Sequence, residues 1–161
     1  MRALALALTL GCAHRQDAAP RRADVDRALD DWHAAAAAAD ERRYFSHFDE
    51  AAIFFGTDPA ERWTVAEFRA YAHPHFARGK AWAFRAVRRA VFFAADGRTA
   101  WIDEDLDTPN LGPARGTGVL VRPRDRWRIA QYNLSVPIPN GIFKDVKAQI
   151  ERAPPQGALP Q

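Results

Sequence analysis

Residues 82–107, WAFRAVRRAVFFAADGRTAWIDEDLD, decide the fold of this chain. Two runs in which apolar and polar residues largely alternate, 82–94 and 99–107, predict two β-strands. The Asp96-Gly97 pair between them is typical of a tight hairpin turn, because glycine tolerates the positive φ that such turns require. We therefore expect the two strands to pair antiparallel.

Two further strands follow this hairpin toward the C-terminus. Residues 114–122 and 127–135 alternate in the same way, and the short segment PRDR between them predicts a tight turn. Gly116 and Gly118 would allow the first of these strands to bend or to approach a neighbour closely. A run of hairpins predicts an antiparallel sheet.

Helices dominate the N-terminal half. Asp24 is a good N-cap, and apolar residues recur at helical spacing from Val25 to Ala39, so we predict one long helix that reaches Tyr44 or Phe45. A strand over 51–56 follows. Thr64 and Glu67 form a capping box that begins a second helix, and residues 141–152 predict a short amphipathic closing helix.

This order of elements is typical of an α+β fold. A long helix, a strand and a helix come first, and four strands in hairpins come after them. We expect a strongly curved antiparallel sheet that wraps around the first helix and leaves a cone open at one end. The 161 residues are enough for one such domain with tails.

Charge and cysteine content exclude some functions. The net charge is +3, but the arginines beyond the N-terminal segment are interleaved with acids, so no nucleic-acid-binding stripe is expected. A single cysteine rules out an internal disulfide. No spacing of His, Cys and acidic residues is typical of a zinc site, and His73 and His75 should point in different directions on a helix. We predict neither a metal nor a cofactor.

The N-terminus carries its own signal. Residues 1–12 combine Arg2, a short apolar run and Cys12, which resembles a bacterial lipoprotein signal whose cysteine becomes lipidated. Residues 13–23 would be a flexible tether and 153–161 a disordered tail. The expected location is the periplasmic side of a membrane, held only by the lipid. The alternative is a cytoplasmic protein with a slightly apolar N-terminus.

Several segments together resemble a known family. AAIFFGTDPAERW (51–63), TVAEFRAYAHPHF (64–76), RGTGVLVR (115–122) and WRIAQYNLSVPIPN (127–140) are similar to the SnoaL-like branch of the nuclear transport factor 2-like superfamily. The similarity covers residues 24–140 and implies a cystatin-like cone. It also implies a homodimer formed through the outer sheet face. The superfamily includes isomerases, cyclases, dehydratases and binding modules without activity, so the fold does not decide the function.

Two carboxylates are candidate catalytic groups. Asp103 and Glu104 lie on opposite faces of the strand 99–107, so one of them enters the cone whichever face turns inward. Burial raises the pKa of a carboxyl group, as a general acid or base requires. The alternative is an acidic outer face that pairs with arginines of the neighbouring strand. Several catalytic relatives carry histidine where Asn133 stands, and Asn cannot act as a general base.

Ligand-binding candidates come from three places. Gln131 and Asn133 share one face of the last strand and could orient a ligand inside the cone, or face solvent. Arg115 could pair with either carboxylate or clamp an anion, unless it is a surface residue. The expected apolar wall consists of Trp32, Phe55, Phe68, Tyr71 and Trp101.

The loop GTDPAERW (56–63) is the third place. Asp58 and Pro59 predict a turn capped by the aspartate side chain, which by itself explains the loop as a structural feature. The loop also leads from a strand end to a helix across the expected mouth of the cone. Glu61 and Trp63 could then overhang a ligand, and Asp58 could pair with Arg115 or Tyr71.

Three functions remain open from the sequence. The first is a domain that binds a small, partly apolar molecule in the cone. The second is an enzyme of the isomerase, cyclase or dehydratase type that moves a proton with Asp103 or Glu104. The third is a structural module that only dimerises.

Overall fold

The computed structural model describes residues 22–153. The predicted signal segment 1–12 lies outside the described residues, as do residues 13–21 of the predicted tether and 154–161 of the predicted tail. Arg22 and Ala23, which we assigned to the tether, already belong to the first helix. No helix within 22–153 is long and apolar enough to cross a membrane.

The predicted long helix is two helices. Helix α1 spans Arg22–Ala37 and α2 spans Glu41–Phe45. The break lies at Ala39, whose φ is 51°, and the amide of Asp40 closes the end of α1 by donating to Ala35 O at 2.9 Å. The side chain of Asp40 then caps α2 by accepting from the Arg43 amide at 3.0 Å. Our expectation of one continuous helix was wrong because this local capping outweighs the helix propensity of the alanine run.

Six strands form one sheet in the order β2-β1-β6-β5-β4-β3. The strands are β1 Phe48–Phe55, β2 Arg62–Thr64, β3 Arg85–Phe93, β4 Thr99–Thr108, β5 Gly112–Val121 and β6 Arg128–Ser135. All neighbours pair antiparallel except β1 and β6, which pair parallel. Strand β2 includes Arg62 and Trp63, which we had assigned to a loop, and it pairs with the end of β1.

Two other helices complete the described chain. Helix α3 spans Val65–Ala77, and its capping box between Thr64 and Glu67 is confirmed, with both reciprocal hydrogen bonds present. Pro74 is accommodated within α3. A 3₁₀ turn over Asn140–Ile142 leads into α4, Phe143–Arg152, which has no buried residue.

The core lies between the inner face of the sheet and helices α1 to α3. Trp32 is fully buried at its centre, with its ring 4.7 Å from that of Tyr132 and 5.3 Å from that of Tyr44. Gly116 brings β5 close to this layer, because a Cβ there would lie 1.9 Å from the Tyr132 hydroxyl. The predicted α+β architecture is confirmed.

Candidate ligand-binding site

A cavity of about 240 Å³ opens at one end of the sheet. It lies where the end of β1, strand β2 and helix α3 meet the segment before β3 and the turn after β4. The residues that line it are Phe54, Gly56, Thr57, Glu61, Trp63, Phe68, Tyr71, His75, Trp82, Ala83, Phe84, Thr108, Asn110, Leu111 and Leu134. The lining is therefore largely apolar and rich in aromatic rings, with a few polar side chains among them.

Stacked aromatic rings build the wall formed by β1, β2 and α3. The ring of Phe54 stacks on Phe68 at 4.0 Å, and Trp63 lies 5.4 Å from Phe68 and 4.6 Å from Tyr71. The capping box at Thr64 fixes the start of α3 directly after Trp63, so these rings are held by rigid backbone. Such a wall suits a flat or compact apolar group.

Glu61 is the carboxylate at the cavity. Its Oε2 accepts from the Asp58 amide at 3.1 Å, and Asp58 Oδ1 accepts from the Ala60 amide at 2.8 Å, so the predicted capped turn is present. A Cβ on Gly56 would lie 2.1 Å from Glu61 Oε2, so the glycine leaves the space that this carboxylate occupies. Glu61 has no ion-pair partner between residues 22 and 153.

Tyr71 and His75 lie one turn apart on α3 beside the cavity. Their rings are 5.7 Å apart, and His75 is 6.3 Å from Trp82. Partial burial, and second the charge of Glu61, raise the pKa of Tyr71, so its phenol remains protonated at neutral pH. On the opposite side, the hydroxyl of Thr108 accepts from the Leu111 amide at 3.0 Å and fixes the turn that carries Asn110.

Glu104 enters the core and does not line this cavity. Its Oε1 accepts from His33 Nε2 at 3.0 Å and from the Tyr132 hydroxyl at 2.7 Å, and its Oε2 accepts from Arg89 Nε at 2.7 Å. Arg89 in turn bonds Asp30 at 2.9 Å. Burial alone would raise the pKa of Glu104, but His33, Arg89 and Tyr132 outweigh it and lower the pKa to about 2.

This result corrects our expectation about the carboxylates. A general acid or base needs a pKa near the working pH and an approach to substrate. Glu104 is fully buried, and its oxygens are engaged by neighbouring side chains. Asp103 points to the outer sheet face, where it pairs with Arg88 at 2.9 Å. The arrangement of both residues fits a structural role, and the ion pair between neighbouring strands matches the alternative that we left open.

A family model for the SnoaL-like domain matches residues 25–139. The chain belongs to the SnoaL-like family. No curated protein sequence matches it. The matched region of the SnoaL-like domain contains the whole sheet and every residue that lines the cavity.

Solved structures similar to this SnoaL-like protein share its fold at low sequence identity. A nuclear transport factor 2-like protein of unknown function from Pseudomonas putida KT2440 has a TM-score of 0.62 and 13% identity, over 73% of this chain and 87% of that chain. A protein from Parabacteroides distasonis, provisionally assigned as a ketosteroid isomerase, has a TM-score of 0.57 and 20% identity, over 71% and 86%. A provisionally assigned scytalone dehydratase from Novosphingobium aromaticivorans has a TM-score of 0.61 and 10% identity, over 72% and 83%.

The SnoaL-like sheet places several predicted site residues on its outer face. Gln131 and Asn133 alternate with the buried Tyr132 and Leu134, so they point away from the cone. Our prediction that they line the cone was wrong, because the alternate residues Tyr132 and Leu134 occupy the inward-facing side of β6. Trp101 is 47% exposed on the same outer face.

The remaining predicted residues divide between the core, the outer face and the cavity. Trp32 belongs to the closed core, and Phe55 pairs in register with Asn133 on the outer face. Arg115 pairs with Asp105 at 3.6 Å rather than with Asp103 or Glu104. Asp58 caps its own turn, and no bond to Arg115 or Tyr71 is present in the described chain. Glu61, Trp63 and Tyr71 do lie together at the cavity, with Phe68 beside them.

Sequence reasoning missed several residues of the cavity. Phe54, Trp82, His75 and Leu134 line it, and the turn after β4 contributes Asn110. Side chains alternate between the two faces of β1 and β6. Had the inward face of each strand been known, this alternation would have indicated Phe54 and Leu134 as lining residues. Between residues 22 and 153 no group of three His, Cys, Asp or Glu side chains could hold a metal ion.

Proposed function

We propose that this SnoaL-like domain binds a small, partly apolar molecule in the cavity formed by β1, β2 and α3. One observation supports this most strongly: the cavity has a continuous wall of stacked rings, and the polar side chains of Glu61, His75 and Asn110 lie around it. Apolar walls with a few placed polar groups are typical of small-molecule sites. The low pKa and closed contacts of Glu104 favour binding over proton transfer inside the core.

A neutral fluorescent probe tests this proposal. N-phenyl-1-naphthylamine should bind the full-length protein with increased emission and should quench tryptophan fluorescence, because Trp63 and Trp82 line the cavity. Ala83→Phe should weaken binding at least tenfold by filling the cavity. Ala70→Phe, the same change at an exposed position on α3 outside the lining, is the matched control. Equal probe affinity of the two variants would contradict the proposal.

A proton-transfer enzyme is the second candidate. Two titratable groups, Glu61 and His75, line the same cavity, and the fold is shared with proteins provisionally assigned as an isomerase and a dehydratase. The test is isomerisation of a β,γ-unsaturated ketone to its conjugated isomer, followed by absorbance. Turnover should fall at least a hundredfold in Glu61→Gln or His75→Asn if one of them moves the proton. A wild-type rate equal to that of buffer would reject this activity.

We further propose a homodimer formed through the outer sheet face. Phe92 and Trp101 stack there at 5.8 Å and are each 47% exposed, so they offer apolar surface to a partner. Sedimentation velocity should give a dimer that Trp101→Glu converts to a monomer. Under this proposal the dimer leaves the cavity free, because the cavity opens on the other face of the sheet. A wild-type monomer at micromolar concentration would contradict it.

Export and lipid anchoring at Cys12 remain a proposal from the sequence. In a bacterial host, labelled palmitate should enter the wild-type protein and should not enter Cys12→Ser. Recovery of unlabelled, full-length wild-type protein from the cytoplasm would contradict export.

A further inference from the structure

Among Asp, Glu, Lys and Arg, the described cavity lining contains only a negatively charged side chain. Glu61 is the only Asp or Glu among the described residues that line it, and none of them is Lys or Arg. A carboxylate in a largely apolar setting attracts positive charge strongly, because little solvent screens it. The cavity is therefore electrostatically suited to a cation.

Glu61 is positioned but not neutralised. The Asp58 amide holds one carboxylate oxygen, and Gly56 leaves room for the side chain. The adjacent Arg62 does not pair with it, since its guanidinium lies over the Phe55 ring at 5.8 Å on the outer side of the sheet. A carboxylate that is fixed in place without a cationic partner is available to a ligand.

Aromatic rings line the same cavity as this carboxylate. Tyr71 is 48% exposed, so part of its ring remains accessible, and Trp63 and Trp82 line the same space. The faces of such rings carry negative electrostatic potential and attract ammonium groups. A carboxylate and several rings together favour a bulky ammonium over a strongly hydrated metal ion.

We propose that the cavity selects ligands with an organic ammonium group attached to an apolar body. This rests on the proposed binding function and names its ligand class. The ammonium lies between Glu61 and Tyr71, and the apolar body packs against Phe54, Phe68 and Leu134. An anionic ligand is disfavoured, because the described lining contains Glu61 and neither Lys nor Arg.

A pair of isosteric probes tests the charge alone. The 4-hydroxyphenyltrimethylammonium ion and 4-tert-butylphenol share shape and hydroxyl group but differ in charge. Calorimetry with the full-length protein at neutral pH should show the cation binding about tenfold more tightly or better. Glu61→Gln keeps an acceptor for the Asp58 amide and should reduce the difference to less than threefold.

Two further variants separate local from general effects. Asp58→Asn removes a charge three residues away and should preserve the preference for the cation, because Asp58 does not line the cavity. Tyr71→Leu should weaken the cation more than the neutral probe. If Glu61→Gln does not fold, Tyr71→Leu alone still tests the proposal.

The outcomes distinguish the two proposals. Equal binding of both probes by the wild type would overturn the selection for cations and leave the binding function intact. Binding of neither probe, while N-phenyl-1-naphthylamine still binds, would also overturn only the ammonium proposal. Failure of all three to bind would overturn both.

Discussion

Two carboxylates of this domain, Glu104 and Glu61, differ in burial and in the number of hydrogen bonds that they accept. Glu104 is fully buried, and its two oxygens accept hydrogen bonds from His33, Arg89 and Tyr132. Glu61 is half-buried beside an open cavity and accepts one hydrogen bond, from the amide of Asp58. The first lies in a closed cluster with its charge balanced, and the second keeps a charge that no side chain of the described chain balances.

The comparison teaches that burial does not by itself identify a functional group. A buried charge persists only when neighbours compensate for its lost hydration, and those neighbours then occupy its bonding capacity. A partly buried charge next to a cavity keeps that capacity for a ligand. A search for functional sites should therefore look for charged side chains that are held in place by hydrogen bonds but have no oppositely charged partner.

The largest effect is expected from Glu104→Gln. The substitution leaves His33 and Arg89 buried without their shared anion, so the free energy of unfolding should fall by about 3–5 kcal/mol. Urea titration followed by circular dichroism measures this. The control is Asp105→Asn on the outer face, where the solvent-exposed pair with Arg88 is screened by water and should contribute far less to the free energy of unfolding. A similar loss of unfolding free energy in both variants would contradict the difference that we expect between the buried and the exposed carboxylate.

The second prediction concerns acid. The pKa of Glu104 is about 2 in the folded protein against an ordinary 4.5, so its ionised form favours folding. That contribution is present above about pH 4.5 and is lost as the pH falls toward 2, by about 3 kcal/mol in all. Between pH 5 and 2 the stability of the wild type should fall more steeply than that of Glu104→Gln. Urea titrations at each pH measure this difference. If the free energy of unfolding falls equally with pH in both proteins, Glu104 does not have the low pKa assigned to it.

A pair of glycine substitutions gives the third prediction. Gly116→Ala places a Cβ 1.9 Å from the hydroxyl of the buried Tyr132 and should cost about 3 kcal/mol, because that ring cannot move aside. In Gly56→Ala the new Cβ would lie 2.1 Å from Glu61 Oε2, which can rotate away, and 2.9 Å from Glu61 Cβ, which requires a small shift of the loop, so the cost should be smaller, about 2 kcal/mol. Gly56→Ala should nevertheless weaken ammonium binding. Thermal unfolding and calorimetry measure the two quantities, and the reverse order of stabilities would break the comparison.

The smallest effect is expected from Glu61→Gln. The amide oxygen of glutamine can still accept from Asp58, so the free energy of unfolding should change by less than about 1 kcal/mol. Set beside Glu104→Gln, the same substitution then separates a structural from an available carboxylate. A loss as large as that in Glu104→Gln would mean that Glu61 mainly supports the fold.

Local chemistry made part of the fold predictable. The capping box at Thr64 and Glu67 depends on residues three apart, and the turn at Asp96 depends on its own side chain, which accepts from the Arg98 amide at 2.8 Å. Alternation in β4 showed that Asp103 and Glu104 face opposite sides. Each of these inferences needed only neighbouring residues, which a sequence displays directly.

Distant partners decided what the sequence left open. Glu104 turns inward because His33 on α1 and Arg89 on β3 meet it there, and neither is close to it in sequence. Gln131 and Asn133 were assigned inward for their polarity, but Tyr132 occupies that side and bonds Glu104. The cavity draws on α3, β1 and the turn after β4, so its composition depends on tertiary contacts that no single motif encodes.

The position of β6 in the sheet affects how the protein folds during its synthesis. Among the strands of residues 22–153, β6 (Arg128–Ser135) lies between β1 and β5 and alone joins the two parts of the sheet. As the chain leaves the ribosome, β1 and β5 therefore both wait with open edges until residue 135 has emerged. Assembly of the sheet therefore waits for residues 128–135, and a chain truncated before β6 would carry two sheet parts with unpaired edges instead of a smaller domain.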